Sequence, residues 1–137
     1  MILVKLVHRE RQMERSEQFQ RGDAIRRQVM GDAYVDRSWE NADETKQFTY
    51  QNATELAWAN FWTRPGLDLK TRSVVTLAVL AALGRTQEIR GHVRGGLNNG
   101  LTPDEIRELF LHVACYAGFP AAIEALRVAG DVFQERG

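Results

Sequence analysis

Apolar residues recur at every third or fourth position along most of the chain, and no run alternates with period two. Ser16 stands before "EQFQRGDAIRRQVM", where Phe19, Ile25 and Val29 form the apolar positions and Gly31 follows the end, which predicts a capped helix. "DAYVDRSWENAD" is mostly polar and reads as a connection. In "ETKQFTYQNATELAWANFWT", Phe48, Leu56, Ala59 and Trp62 fall at helical spacing, and Pro65-Gly66 closes the segment. Asp68 is placed to cap "LKTRSVVTLAVLAAL", which is apolar nearly all round from Val74 to Leu83 and stops at Gly84. Such a helix must be covered on most sides. One small domain supplies too few neighbours, so the pattern predicts a partner chain.

Thr86 is placed to cap the following helix, and Gly100 fits its C′ position. Within that helix, "HVRGGLNNG" sets two adjacent glycines beside a histidine. Glycine in a helix interior costs about 1 kcal/mol relative to alanine, so the pair predicts a close approach by a neighbour. "TPDEIRELFLHVACYAG" carries the strongest start signal, with Thr102 as cap, Pro103 at the first position and Glu105 closing a capping box. "FPAAIEALRVAGDVFQER" predicts a last helix with Ile123, Leu126, Ala129 and Phe133 inward. The predicted class is all-α, a compact bundle of about six helices. Residues 1–15 read as an N-terminal extension, strand-like in "MILVKLVH" and then basic, and residues 16–137 as the domain.

Composition narrows the function classes. A chain of 137 residues suits one domain with its own core. Lys+Arg and Asp+Glu balance at 18 each, so no global field favours nucleic acid or an anionic membrane. The single cysteine, Cys115, rules out an intrachain disulfide and fits a reducing compartment. "MILVKLVH" is too short to span a bilayer and lacks a signal-peptidase pattern, so a soluble cytoplasmic protein is expected.

His92 shares a helix face with Ile89 and Gly96. Spacing alone favours a buried histidine satisfied by a carbonyl; the opening expected at Gly96 suits a pocket floor instead. Glu55 lies on one face with Trp58, Ala59 and Trp62, where desolvation would raise its pKa and suit it to proton donation. An ordinary polar-edge glutamate fits the same spacing. Arg64 and Arg72 flank the Pro65-Gly66 turn, and Arg90 and Arg94 lie on the glycine-containing helix; guanidinium forks suit carboxylates, and solvated arginines look identical in sequence. Tyr116 can place a phenol in a cleft or simply pack. CxxC, HExxH, GxGxxG and phosphate-loop motifs are missing, and His8, His92 and His112 have no metal-ligand spacing. A helix-turn-helix around residues 98–103 is disfavoured, because its second helix opens with Asp104, Glu105 and Glu108.

Four stretches carry a family likeness: "RGDAIRRQVMGDAYVDRS", "ATELAWANFWTRPGLDLKTRSVVTLAVLAALGR", "EIRGHVRGGLNNGLTPDEIRELFLHVACYAGFPAA" and "EALRVA". Together they resemble the carboxymuconolactone decarboxylase family, within the alkylhydroperoxidase-D-like superfamily, over residues 16–135. The redox branch of that superfamily carries a CxxC before its histidine, where this chain reads "TQEIRGH". Disulfide chemistry needs two thiols within reach, so a peroxidase-type activity is disfavoured; a non-catalytic ligand-binding member remains a further alternative. The resemblance implies decarboxylation of 4-carboxymuconolactone to 3-oxoadipate enol-lactone and CO2 in protocatechuate breakdown, with no cofactor and no metal. It implies His92 and Glu55 as catalytic residues, Arg64 and Arg72 for the substrate carboxylates, and Trp58, Trp62 and Tyr116 as pocket walls. It also implies a homo-oligomer, a hexamer built as a trimer of dimers.

Overall fold

The computed structural model describes residues 1–3 and 15–137. Of the strand-like N-terminal stretch, Ile2 and Leu3 are helical instead, and the rest lies outside the described residues. From Glu17 onward the chain forms seven α-helices and one π-helical segment, and no strand occurs among the described residues. Helix α1 spans Glu17–Met30, with the Ser16 hydroxyl accepting from the Phe19 N–H at 3.1 Å. Gly31 (φ 89°) then turns the chain directly into α2, Asp32–Glu40. This helix replaces the predicted connection. Only Val35 of α2 is buried, so a helix lying on the surface carries too few apolar positions to show a period.

The single helix predicted over residues 44–63 is two elements. Asp43 caps α3, Glu44–Ala53, and the chain then winds as π-helix π1, Thr54–Trp62. Winding i→i+5 turns the inward face away from the α-helical register. Thr54, Trp58 and Ala59 are buried, whereas Phe48 and Leu56, both expected inside, are exposed. Helix α1 presses on π1 at Gly22, where an added Cβ would lie 2.0 Å from the Thr54 carbonyl oxygen.

Asp68 caps α4, Leu69–Leu83, by accepting from the Thr71 N–H at 2.7 Å, and Gly84 ends it at φ 69°. Ser73, Leu77 and Ala81 face inward; Val75, Val79 and Leu83 form an exposed apolar row. Helix α5, Thr86–Asn98, starts at Arg85 without a side-chain cap, so Thr86 is its first helical residue and not its cap. Gly100 takes the expected C′ place at φ 97°. The two asparagines pin this end: Asn98 Nδ2 donates to the Val29 carbonyl at 2.8 Å, and Asn99 Nδ2 to Ser73 Oγ at 2.9 Å.

The capping box of α6, Pro103–Ala117, is complete. Helix α7, Phe119–Arg136, buries Ala122, Ala125, Val128, Ala129 and Val132. Leu126 and Phe133 are partly buried against the core, whereas Ile123, expected inward, is 61% exposed. The small residues of α7 bring it close to its neighbours, and Ile123 falls just outside that stripe.

Two cores result. Leu77, Ile89, Val93, Ile106, Phe110, Val128 and Val132 build an aliphatic core among α4–α7. Val29, Met30, Val35 and Trp58, with Ile25, Trp39, Trp62 and Leu69 against them, build an aromatic one among α1, α2, π1 and the start of α4. Helix α5 serves both. Cβ atoms at Gly91 and Gly95 would come within 3.1 Å of Met30, and one at Gly96 within 3.0 Å of Leu101. The glycines thus admit neighbours. Leu77 and Leu101 fill the space beside Gly96, which is not the pocket opening expected there.

Candidate functional site

Helix α5 carries His92 to the edge of the aromatic core, where its imidazole meets two indoles. Trp58 and Trp62, one winding apart on π1, stack with centroids 4.7 Å apart and planes at 21°. The imidazole lies 6.1 Å from each and within 14° of parallel. His92 Nδ1 is buried and has no hydrogen-bond partner, so the structural histidine satisfied by a carbonyl is not what forms. Burial, with a smaller contribution from the positive charge of Arg26, lowers the imidazole pKa to about 4 against the opposing pull of Glu88. The ring is therefore neutral at neutral pH, with one nitrogen able to donate and the other to accept.

Arg72, in the first turn of α4, leans back over the preceding turn. Its Nη2 donates to the Arg64 carbonyl at 2.8 Å, while its Nε is buried and unpaired. The Arg64 side chain is exposed. The Arg72 guanidinium thus lies over the turn before Leu69, which packs on the aromatic core.

Two expected members do not join this group. Glu55 is half-buried on π1, but its carboxylate meets Ser16 Oγ at 3.4 Å and makes no hydrogen bond to His92. The i→i+5 winding separates the glutamate from the face it would share with the indoles in an α-helix. Tyr116 is 86% exposed near the end of α6, and its ring packs at 5.5 Å on His112 instead of walling the indole pair. Its place beyond the last buried turn of α6 follows from the burial of Val113 and Ala114, which leaves the next positions outward.

Sequence reasoning missed Arg26. It is 7% exposed, donates from Nη2 to Ser38 Oγ at 3.1 Å and leaves Nη1 buried without a partner. A signal was present: Phe19, Gly22, Arg26 and Val29 follow a three-four-three spacing, so the arginine occupies a position of the buried stripe.

An open groove of about 570 Å³ lies elsewhere, between α4 and α6, lined by Val74, Ala78, Leu109, His112 and Val113. Asp104, Glu105 and Glu108 complete its wall. That acidic lining repels anions. No helix among the described residues is long and apolar enough to cross a membrane.

The carboxymuconolactone decarboxylase family model matches residues 49–131. A 4-carboxymuconolactone decarboxylase of Acinetobacter baylyi is 43% identical over 125 residues, covering 91% of this chain and 93% of that protein. A nitrosuccinic acid decarboxylase of Metarhizium robertsii is 42% identical over 110 residues, covering 80% and 77% respectively. The matched span contains His92, both indoles and both arginines of the α4 turn, and begins after Arg26.

Proposed function

The chain belongs to the carboxymuconolactone decarboxylase family, and on that premise we propose that it converts 4-carboxymuconolactone to 3-oxoadipate enol-lactone and CO2 without a cofactor, as a step of protocatechuate breakdown in the cytoplasm. The observation that carries this reading is the neutral, unpartnered imidazole of His92 beside two stacked indoles. The substrate supplies its own electron sink. Its leaving carboxylate sits on the γ-carbon of an unsaturated lactone. When the bond to CO2 breaks, the electron pair moves through the ring alkene onto the lactone oxygen, and a proton added to the ring carbon next to that carbonyl gives the enol-lactone.

His92 donates to the lactone oxygen. A neutral donor, fixed in place and free of competing bonds, strengthens its hydrogen bond as charge arrives; such donors contribute about 3–4 kcal/mol to the barrier. An imidazolium carrying protons at neutral pH does not fit a pKa of about 4. Arg72, braced on the Arg64 carbonyl with Nε free, holds the retained acetate arm, with Arg64 beside it. Gripping the leaving carboxylate would stabilise the ground state and slow the reaction. Trp58 and Trp62 keep the γ-carbon dry. Glu55, half-exposed on the same segment, is assigned only to the final protonation, a step water also performs.

Peroxidase-type chemistry has no support in a chain whose one cysteine, Cys115, is exposed on α6. CO2 release from 4-carboxymuconolactone, without added metal or cofactor, tests the reading, and a folded protein that releases none overturns it. We propose further that the chain works as a homohexamer, a trimer of dimers, whose contacts cover the Val75, Val79 and Leu83 row of α4. Light scattering at micromolar concentration checks this assembly, and a stable monomer rules it out.

A further inference from the structure

Arg26 and Arg27 are adjacent on α1 and live in opposite surroundings. Arg27 gathers three carboxylates: Asp23 at 2.9 Å, Asp36 at 2.8 Å and Asp32 at 3.4 Å. Arg26 is buried and pairs with no carboxylate among the described residues. Its charge is met by one hydroxyl, on Ser38, and by the rings of Tyr50 at 5.4 Å and Trp39 at 6.0 Å. Burial accordingly lowers its pKa. The carboxylate that offsets its charge, Asp23, is tied to Arg27. A buried cation whose counter-ion is held by another arginine is costly to keep. An anion that arrives only during function removes that cost.

The position of Arg26 says which anion. Met30, one turn further along the same buried face of α1, packs with Trp58 in the aromatic core. Both Met30 Cε and Tyr34 Oη come against Gly91, the residue preceding His92. The imidazole feels the charge of Arg26, against the larger opposing pull of Glu88. Arg26 on α1 and Arg72 on α4 both belong to the half of the molecule that holds the aromatic core. Arg72 stands at a turn open to solvent, where a hydrated carboxylate enters. Arg26 stands in the dry interior, where electrostatic stabilisation of newly formed charge is strongest.

We infer that Arg26 is a catalytic residue of the proposed decarboxylation, whose free Nη1 receives the negative oxygen that forms on the lactone carbonyl as CO2 departs. This role rests on the proposed decarboxylation. His92 offers that oxygen a hydrogen bond but no charge, and Arg26 supplies the charge. The benefit appears only as the electron pair reaches the oxygen, so it falls on kcat and not on KM.

The test compares wild type with Arg26→Met in kinetics and in binding of two unreactive lactones, followed by tryptophan fluorescence. Tetronate, a lactone carrying an enolate oxygen, mimics the charged intermediate, and neutral 2(5H)-furanone mimics the uncharged ring. Arg26→Met is expected to lower kcat at least 100-fold with KM within threefold, and to abolish the wild-type preference for tetronate. Its Tm is expected to stay or rise, since a buried charge gives way to an apolar chain. Wild-type kcat in the variant, or a retained preference for tetronate, overturns the inference. If Arg26→Met does not fold, Arg26→Gln, which keeps an amide donor for Ser38, replaces it, and the same results uphold or overturn the inference. A wild-type chain that releases no CO2 yet prefers tetronate through Arg26 overturns the proposed reaction and upholds the anion site. An active wild type indifferent to Arg26 overturns the anion site alone.

Discussion

The two cores differ in what they leave unsatisfied. The aliphatic core among α4–α7 closes on Leu77, Ile106, Phe110 and Val128 and contains no buried side-chain polar atom without a partner among the described residues. Asp23, Arg26, Trp39, Arg72 and His92 each bury such an atom, and all lie in or beside the aromatic core. Buried polar groups are nearly always hydrogen-bonded, and exceptions gather where a ligand completes them. One half of the molecule is finished by folding. The other leaves Arg26, Arg72 and His92 each with a polar atom still open to a partner.

That contrast predicts which variants lose stability and which lose activity. Phe110→Ala, in the aliphatic core, is expected to cost about 3–5 kcal/mol of unfolding free energy while leaving kcat per folded molecule unchanged. Chemical denaturation with active-site titration measures both, and a large kcat loss at full stability would break the division of labour. His92→Ala is expected to do the reverse, lowering turnover by about 10²–10³-fold with little change in Tm, because the ring gives up no hydrogen bond. Glu55→Gln should lose at most a tenth as much. Near wild-type turnover in His92→Ala would return the histidine to a structural role.

The next effect is on pH. The His92 pKa is lowered by folding from 6.5 to about 4, so between these values the unfolded chain binds a proton that the folded chain refuses. Its contribution to stability is complete above pH 6.5 and declines as pH falls towards 4, by about 3 kcal/mol in all. The difference between wild type and His92→Gln in denaturant midpoint from pH 7 to 4 isolates this contribution; a constant difference would show that the imidazole is not buried neutral. The smallest effect is at the open end of the site. Arg72→Lys is expected to raise KM about tenfold, since an ammonium cannot reproduce a guanidinium fork, with kcat falling less. Unchanged kinetics would pass the acetate arm to Arg64.

How much of this was legible in the sequence depended on how local the cause was. The α4 and α6 starts were clear because Asp68, Thr102, Pro103 and Glu105 act within one turn of themselves. Helix α2 was hidden because it fully buries Val35 alone, with Trp39 only partly covered. The π1 winding changed the period under Leu56, and Phe48 stands on α3, which buries no residue, so a 3.6-residue pattern run through both placed them on the wrong side. His92, Trp58 and Trp62 meet in space, and spacing alone could not have joined them. Arg26 was passed over because a charged residue is ordinarily read as surface, and only its place in a buried stripe marks it otherwise.

The close approaches at the glycines also govern how this sequence can drift. At Gly22 the obstacle is a main-chain oxygen 2.0 Å from the missing Cβ, which no change of neighbouring side chain removes. At Gly91 and Gly95 the obstacles include the tips of Met30 and Tyr34, which smaller residues would withdraw. Descendants of this chain therefore keep the first glycine unconditionally, exchange Gly91 only after Met30 and Tyr34 have changed, and exchange Gly95 only after Met30 and Val29 have. A saturation library of paired substitutions reads this order of steps, and an alanine tolerated alone at Gly22 would contradict it.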